Sequence, residues 1–193
     1  MFKGITELRY KKADVILFNS HRKDAAEVLS NHHLCKLSYN GLEFNSTEQL
    51  FFVMRLSNHP KYQEVLMQCS APVDVKRKGQ RLMDKVGYDD SDPSREIPLL
   101  RFCIRLKYLQ CDEFRDFLLS HPKDKYVEYA PWGDKAYGTI DEDLQYKWDW
   151  NKGVVYGQNV CGRIIRGVLK EALQGNVKLE LPDGVTFPSP LLL

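Results

Sequence analysis

The stretch Phe44-Asn45-Ser46-Thr47-Glu48-Gln49-Leu50-Phe51-Phe52-Val53-Met54-Arg55-Leu56 constrains the chain more than any other, because it opens like a helix and carries an acid an apolar helix does not need. The Ser46 hydroxyl can accept from a backbone N–H one turn in, and Gln49 three residues on can reach back, a capping box. Glu48 then falls in the first turn, where free N–H groups and the helix dipole favour a carboxylate, while Leu50, Phe51, Val53 and Met54 draw the same turn into the core. The expected result is a fixed, partly desolvated acid. First-turn acids commonly do no more than complement the dipole, so Glu48 gains meaning only from what accompanies it.

What surrounds that helix is bounded by size and charge. A chain of 193 residues with 43% hydrophobic and 28% charged residues is long enough for one good core and too apolar to be disordered. Its formal charge of +2 gives no general argument for nucleic acid, although a local basic patch is compatible with it. No apolar run reaches bilayer length and Met-Phe-Lys-Gly-Ile-Thr-Glu lacks a signal-peptide core, so the expectation is a cytoplasmic protein with no membrane partner. The five cysteines are scattered without zinc-ligand spacing and read as buried free thiols; His32-His33 lacks partner ligands, so neither metal nor cofactor is expected.

In chain order, Asp14-Val15-Ile16-Leu17-Phe18 reads as a short strand and Ala25 to Leu29 as weakly helical. Cys35 to Tyr39 alternates, Asn40-Gly41 makes a hairpin turn and Leu42-Glu43-Phe44 returns, delivering the chain into the Ser46 cap. Tyr62 to Cys69 reads as helix with Val65, Leu66 and Cys69 on one side. Pro72 to Val86 reads as a basic amphipathic helix containing Lys76, Arg77, Lys78 and Arg81, its charge mostly a solvated face. Arg95 to Leu119 reads as two core helices broken near Cys111-Asp112.

From Lys125 the texture changes. Tyr126-Val127-Glu128-Tyr129 alternates like a strand, Pro131-Trp132-Gly133-Asp134 is turn chemistry, and the run to Trp150 is aromatic, acidic and glycine-punctuated, holding all three tryptophans. A long aperiodic loop inside a compact domain is more often functional than not. Gly153 to Gly157 then leads through Gln158-Asn159 into an amphipathic helix with Val160, Ile164, Val168, Leu169, Ala172 and Leu173, closed by Gly175. The expected organisation is a single α+β domain, mainly helical with a small hairpin or sheet, over residues 1–175, and an extended proline-bearing tail over 176–193.

The order of a Ser-Thr-Glu-Gln helix, a basic helix, two core helices, Val-Glu-x-x-Pro-x-x-Asp-x-x-Tyr-Gly and then Gly-x-Asn-x-x-Gly opening the last helix resembles the YbiA-like NADAR family. The resemblance runs from about Ile16 to Leu173 and implies that family's fold. It also implies an N-glycosidase linked to ADP-ribose chemistry and to riboflavin-pathway intermediates. It places family motif positions on Phe18-Asn19-Ser20, on Leu29-Ser30-Asn31-His32, on Glu48, on Arg77 and Gly79, on Asp134, Tyr137 and Gly138, and on Gly157, Asn159 and Gly162. Four positions depart from the pattern: Gln49 stands where His is usual, Phe52 where Gln is, Tyr137 where Trp is, and Arg55 where Lys is. An arginine stays charged and cannot replace a lysine in proton transfer or nucleophilic attack.

Breaking a ribosyl N-glycosidic bond passes through an oxocarbenium-like transition state, which wants a carboxylate beside the anomeric carbon and a group to orient water. Glu48 is assigned to water and cation, and Asp134 to ribose hydroxyls or the leaving group, although an Asp in such a turn is ordinarily just an Asx cap. Phosphates call for N–H groups and cations. The helix start at Gly157 and Asn159 offers the first, with a tight turn and an ordinary N-cap as the plain alternatives, and Arg55 and Arg77 offer the second. Seven residues from Glu48 on nearly the same face, Arg55 is expected to border the same pocket, or else to form an exposed ion pair with an acid such as Glu64. Trp132 or Tyr137 would stack on a base, with Phe18, Ser20, Asn31 and Gly138 completing the binding set. The expected substrate is a small nucleotide or ADP-ribosyl compound: an ADP-ribosylated base, free or carried on nucleic acid, a ribosylamino intermediate of the riboflavin pathway, or an NAD relative. Two rival classes remain open: a non-catalytic binder of ADP-ribose or NAD, and a nucleic-acid-associated protein drawing on Lys76, Arg77, Lys78 and Arg81.

Overall fold

The computed structural model describes residues 1–189. Helix α1 (Thr47–Arg55) lies at its centre: all nine of its residues are buried. An element hydrophobic on every side needs neighbours on every side. They are α2 (Pro60–Met67), α3 (Pro72–Val86) and α4 (Pro93–Gln110), while α4 also packs on the last helix, α6 (Val160–Leu173). Gly79 lets α3 come close, since a Cβ there would lie 2.2 Å from the Phe52 ring. Helix α4 stops at Cys111 and α5 (Asp112–Ser120) follows at once, the break expected at Cys111-Asp112.

The strands are short and edge the helical core. β3 (Leu34–Tyr39) and β4 (Leu42–Ser46) form the hairpin read from Asn40-Gly41, whose φ angles of 53° and 76° are those a primed turn requires. β2 (Ile16–Phe18) pairs in parallel with β5 (Tyr126–Glu128), with Phe18 opposite Glu128. A third sheet runs β1 (Leu8–Lys11), β7 (Val154–Gly157), β6 (Ile140–Asp141), all antiparallel. The mainly helical α+β architecture is the one expected, with differences of detail. β1 and β6 had no clear sequence signal, because a four-residue strand and a two-residue strand gain their identity only by pairing with β7. Val65 is exposed, unlike Leu66 and Cys69 with which it was grouped.

The long loop after β5 is tied down by one buried lysine. Lys12 Nζ lies 2.5 Å from Asp141 Oδ1 and donates to the carbonyls of Tyr146 and Asp149 at 2.9 and 2.6 Å. Tyr129, Leu17, Val127 and Val155 form a small second core beneath it, with Trp150 packed alongside. Beyond α6, Leu179, Leu181, Val185 and Phe187 lie against the main core. Thr186 exchanges hydrogen bonds with Asn58, Ser57 and Gln63, so the segment runs as a strap over the helices. Pro190 and the residues after it lie outside the described residues.

Helix α6 meets β5 through Gly162, where a Cβ would sit 2.0 Å from the Tyr126 carbonyl oxygen. Backbone cannot yield there as a flexible side chain can. Gly162→Ala is expected to destabilise the fold by about 2–3 kcal/mol, read as a lower urea midpoint at unchanged m-value; an unchanged midpoint would show that the two elements separate freely.

Candidate active site

The N-terminus of α1 is built as an acid holder. Ser46 Oγ accepts from Gln49 N at 3.2 Å, as expected, but Gln49 Oε1 reaches one residue further back, accepting from Asn45 N at 2.8 Å. The Gln49 amide meanwhile donates to the carbonyls of Leu66, Met67 and Cys69. This fastens the hairpin, α1 and the end of α2 together. Glu48 N donates to the Asn31 carbonyl at 2.9 Å, and the Glu48 carboxylate lies 3.5 Å from His32 Nε2. Burial alone would push this carboxyl upward. The hydrogen bond and charge of His32, with Lys76 and Arg55 behind, outweigh burial and hold it below the usual glutamate range, so Glu48 is ionised.

A second acid faces the same space from β5. The Glu128 N–H donates to Asn159 Oδ1 at 3.0 Å and its carbonyl accepts from both Thr139 N and Thr139 Oγ1, which fixes the strand end. Glu128 Oε2 is sealed from solvent and has no hydrogen-bond partner. Burial first, and then the charge of Asp134, push this carboxyl up to about 7, against a partial offset from Lys76 and a hydrogen bond with Cys161. Below about pH 7 the two glutamates that share this cavity therefore hold opposite protonation states. Such a split is how acid and base roles are divided between like groups.

The cavity has a volume of about 220 Å³. It gathers Glu48, Asp134, Ser20, Asn31 and Trp132 from the sequence-expected set, and with them Glu128, His32, Lys76 and Asn19. Asn31 Oδ1 is buried there without a partner. Asp134 is at the rim, its Oδ1 accepting from Ala136 N and Tyr137 N, so it is both the Asx turn and a wall of the site. Trp132 is 63% exposed, its ring 4.9 Å from those of His21 and Trp148.

The other expected residues are placed elsewhere. Phe18 is fully buried in the core, where a strand residue of the pattern Ile-Leu-Phe belongs. Arg77 is exposed and paired with Asp74; its neighbour Lys76 lines the cavity instead. Arg55 is buried with Nε and Nη2 on Glu96 and Nη2 also on the Tyr137 hydroxyl, so neither the phosphate clamp nor the exposed pair with Glu64 is correct. Tyr137 is spent in that network and stacks on nothing from the cavity. Gly138, Gly157 and Asn159 serve packing. The N–H groups of Gln158, Asn159, Val160 and Cys161 are all taken by carbonyls of residues 135–138, leaving no anion site. Asn159 makes no side-chain cap; it donates to the Tyr126 carbonyl at 3.0 Å and accepts from Glu128 N.

Glu128 was missed although a signal existed: in strand register it shares a face with Tyr126, and an acid on a core-facing position of a strand asks for an explanation. His32 falls in the Leu29-Ser30-Asn31-His32 motif position and Lys76 in the basic helix, but neither is marked by its sequence as a neighbour of Glu48. A larger cavity of about 900 Å³ lies under the strap, lined by Asp89, Glu180 and Asp183 among others, and its Arg101 and Arg105 are already bound to Glu171.

Residues 17–173 match the NADAR domain family. The chain belongs to that family. Among solved structures, the NMR structure of the Escherichia coli protein YbiA is similar, with 21% identity and a TM-score of 0.60 over 84% of this chain and 87% of that one. At that identity the likeness concerns the fold. No curated protein matches the chain. This NADAR chain contains no helix among its described residues that is long and apolar enough to cross a membrane.

The Arg55 network supports the site from behind. Removing one member of a buried ion pair leaves the other uncompensated, so Glu96→Gln is expected to cost about 3–5 kcal/mol. Chemical denaturation checks this; a loss under 1 kcal/mol would mean that Tyr88 and Tyr137, which also bond Glu96, suffice to hold Arg55.

Proposed function

We propose that this NADAR chain hydrolyses the N-glycosidic bond of a ribosyl nucleotide-like substrate. The observation that carries the reading is the small cavity in which an ionised Glu48 and a protonated Glu128 face each other's space. Glu128 gives its proton to the departing nitrogen as the C1′–N bond breaks. Glu48 stabilises the oxocarbenium-like sugar and orients the water whose oxygen bonds C1′, receiving its proton. The leaving-group role thus passes from Asp134 to Glu128. Asp134 keeps the ribose hydroxyls and, by its charge, helps keep Glu128 protonated.

A cavity of about 220 Å³ is smaller than the roughly 300–1,000 Å³ of ordinary ligand pockets. It has room for the sugar and the scissile bond, while phosphates and further groups lie across the mouth between Lys76 and Trp132. An ADP-ribosylated base, free or on nucleic acid, an NAD relative and a ribosylamino intermediate all meet that description. Five free cysteines accord with a reducing, cytoplasmic setting. The rival reading, an ADP-ribose or NAD binder without turnover, is favoured by one observation: Arg55, where the sequence departs from the family's lysine, is locked on Glu96.

Release of free base from those three substrate classes tests the proposal. Glu48→Gln keeps volume and cap but not charge, and is expected to lower kcat at least 100-fold with the circular dichroism spectrum unchanged; full activity in the folded variant removes Glu48 from the mechanism. Tight ADP-ribose binding without base release would select the binder.

The two acids also fix a pH profile. Turnover should fall below the ordinary glutamate range as Glu48 protonates, and fall again as pH rises through about 7 and Glu128 loses its proton. Because folding raises the Glu128 pKa from 4.5 to about 7, the folded state holds this proton more tightly than the unfolded chain. The cost of its buried charge is absent below 4.5, grows between the two values and is complete above about 7. Glu128→Gln should therefore gain stability relative to the parent as pH rises across that window. Parallel urea midpoints from pH 4 to pH 9 would contradict the assignment.

A further inference from the structure

Asn31 is fastened to the backbone of the catalytic helix: its carbonyl accepts from Glu48 N at 2.9 Å. The turn that carries it is held from two further sides. Lys107 Nζ, fully buried, donates to the Ser30 carbonyl at 2.8 Å, and His32 N donates to Ser30 Oγ at 3.1 Å. From this fixed backbone the Asn31 side chain reaches toward the start of α6, where Nδ2 donates to Cys161 Sγ at 3.9 Å. That leaves Oδ1 in the cavity wall, sealed from solvent and with no hydrogen-bond partner among the described residues.

An unpaired buried acceptor costs free energy until a donor reaches it. An amide oxygen can only accept, so its partner must bring an O–H or N–H. The cavity supplies none. Glu48 is ionised, and Lys76, an exposed residue, does not reach this oxygen. The donor therefore arrives with the ligand.

The hydrolysis proposed above puts the anomeric carbon beside Glu48 and commits the Glu128 proton to the departing nitrogen. Asn31 adjoins Glu48 through the backbone, so the ligand donor closest to it belongs to the carbon next to C1′. Asp134 is exposed at the rim and serves the outer part of the sugar. We propose that Asn31 Oδ1 accepts the 2′-hydroxyl of the substrate's sugar, which makes Asn31 a specificity residue that admits ribosyl compounds and rejects their 2′-deoxyribosyl counterparts. This assignment rests on the hydrolysis reading for where the sugar lies.

Rejection follows from the same oxygen. A site built to bond a hydroxyl discriminates strongly against the analogue that lacks it, because the buried acceptor then stays unpaired in the complex. The selectivity matters most for a modified base carried on DNA, which has one N-glycosidic bond to ribose and one to deoxyribose. Asn31 would direct cleavage to the first and spare the strand.

Binding of ribose 5-phosphate and of 2-deoxyribose 5-phosphate to the full-length protein, measured by isothermal titration, tests this separately from turnover. The ribose compound is expected to bind roughly tenfold or more tightly than the deoxy compound. Asn31→Ala and the similarly sized Asn31→Leu should bring the two within about twofold of each other, with the circular dichroism spectrum unchanged, whereas Asn31→Asp, whose oxygens still accept, should keep the preference. Equal affinities in the parent protein, a preference that survives in Asn31→Ala or Asn31→Leu, or no binding of ribose 5-phosphate overturns the proposal. If the Asn31-dependent preference is present but no base is released from any of the three substrate classes, the hydrolysis reading alone fails. If base is released with no preference between ribosyl and 2′-deoxyribosyl substrates, only the role of Asn31 is lost.

Discussion

The site depends on one asparagine in an unusual backbone state. Asn159 has φ 48° and ψ 44°, a left-handed conformation that for a residue with a side chain costs on the order of 1 kcal/mol or more. Its amide offsets this by bonding Tyr126 O and Glu128 N at 3.0 Å each, so the end of β5 and the start of α6 become one unit. The chain before it approaches closely enough that a Cβ on Gly157 would lie 2.5 Å from the Gly138 oxygen. Glycine and asparagine at a helix start usually suggest an anion site. Here their purpose is internal, since carbonyls of residues 135–138 occupy the place an anion would take. The result is a glutamate whose backbone is fixed on both sides while its buried carboxyl oxygen Oε2 stays without a hydrogen-bond partner.

Glu48 and Glu128 reach opposite states because they are solvated differently by the protein. Glu48 sits at a helix N-terminus with His32 beside it and with Arg55, on the same helix, contributing its charge from a distance. Glu128 has no charged partner in contact, and both Glu48 and Asp134 act against its ionisation. Glu48 therefore helps set its neighbour: an ionised Glu48 makes Glu128 harder to ionise. Arg55 belongs to this balance without touching the cavity. Its own charge is absorbed by Glu96 and the Tyr137 hydroxyl, which permits a guanidinium to be 6% exposed in the middle of the core.

What the sequence disclosed is what short-range chemistry decides. The Ser46 cap, the Asn40-Gly41 hairpin and the Cys111 break are local, and each was legible in a few residues. The Arg55 argument failed for a geometric reason. Seven residues do return to the same helix face, but they also advance about 10 Å, and a cavity of about 220 Å³ at the helix N-terminus does not extend so far. Nor does a shared face imply a shared pocket when every face of the helix is buried. Pairings such as Arg55 with Glu96 or Lys12 with Asp141 join residues far apart in sequence, so no window of residues could contain them. Asp134 was legible as a turn residue, and its turn places it at the rim of the cavity.

The loop between β5 and β7 shows how a segment with little regular structure can present an ordered face. Lys12 replaces the missing strand hydrogen bonds by drawing in the carbonyls of Tyr146 and Asp149, and Tyr129 adds its hydroxyl to Asp141 and to Trp148 N. Trp150 is packed over the second core, but Trp132 and Trp148 remain 63% and 46% exposed with their rings 4.9 Å apart. The core needs neither of them, since its own cluster closes without their side chains. Keeping two tryptophans in water forgoes burial worth about 1.5–3 kcal/mol for a large side chain. On the glycosidase reading proposed above, an anchored loop that accepts this cost at the mouth of an acid-lined cavity suits a flat group arriving from outside, with the substrate's base at the rim and the sugar in the cavity.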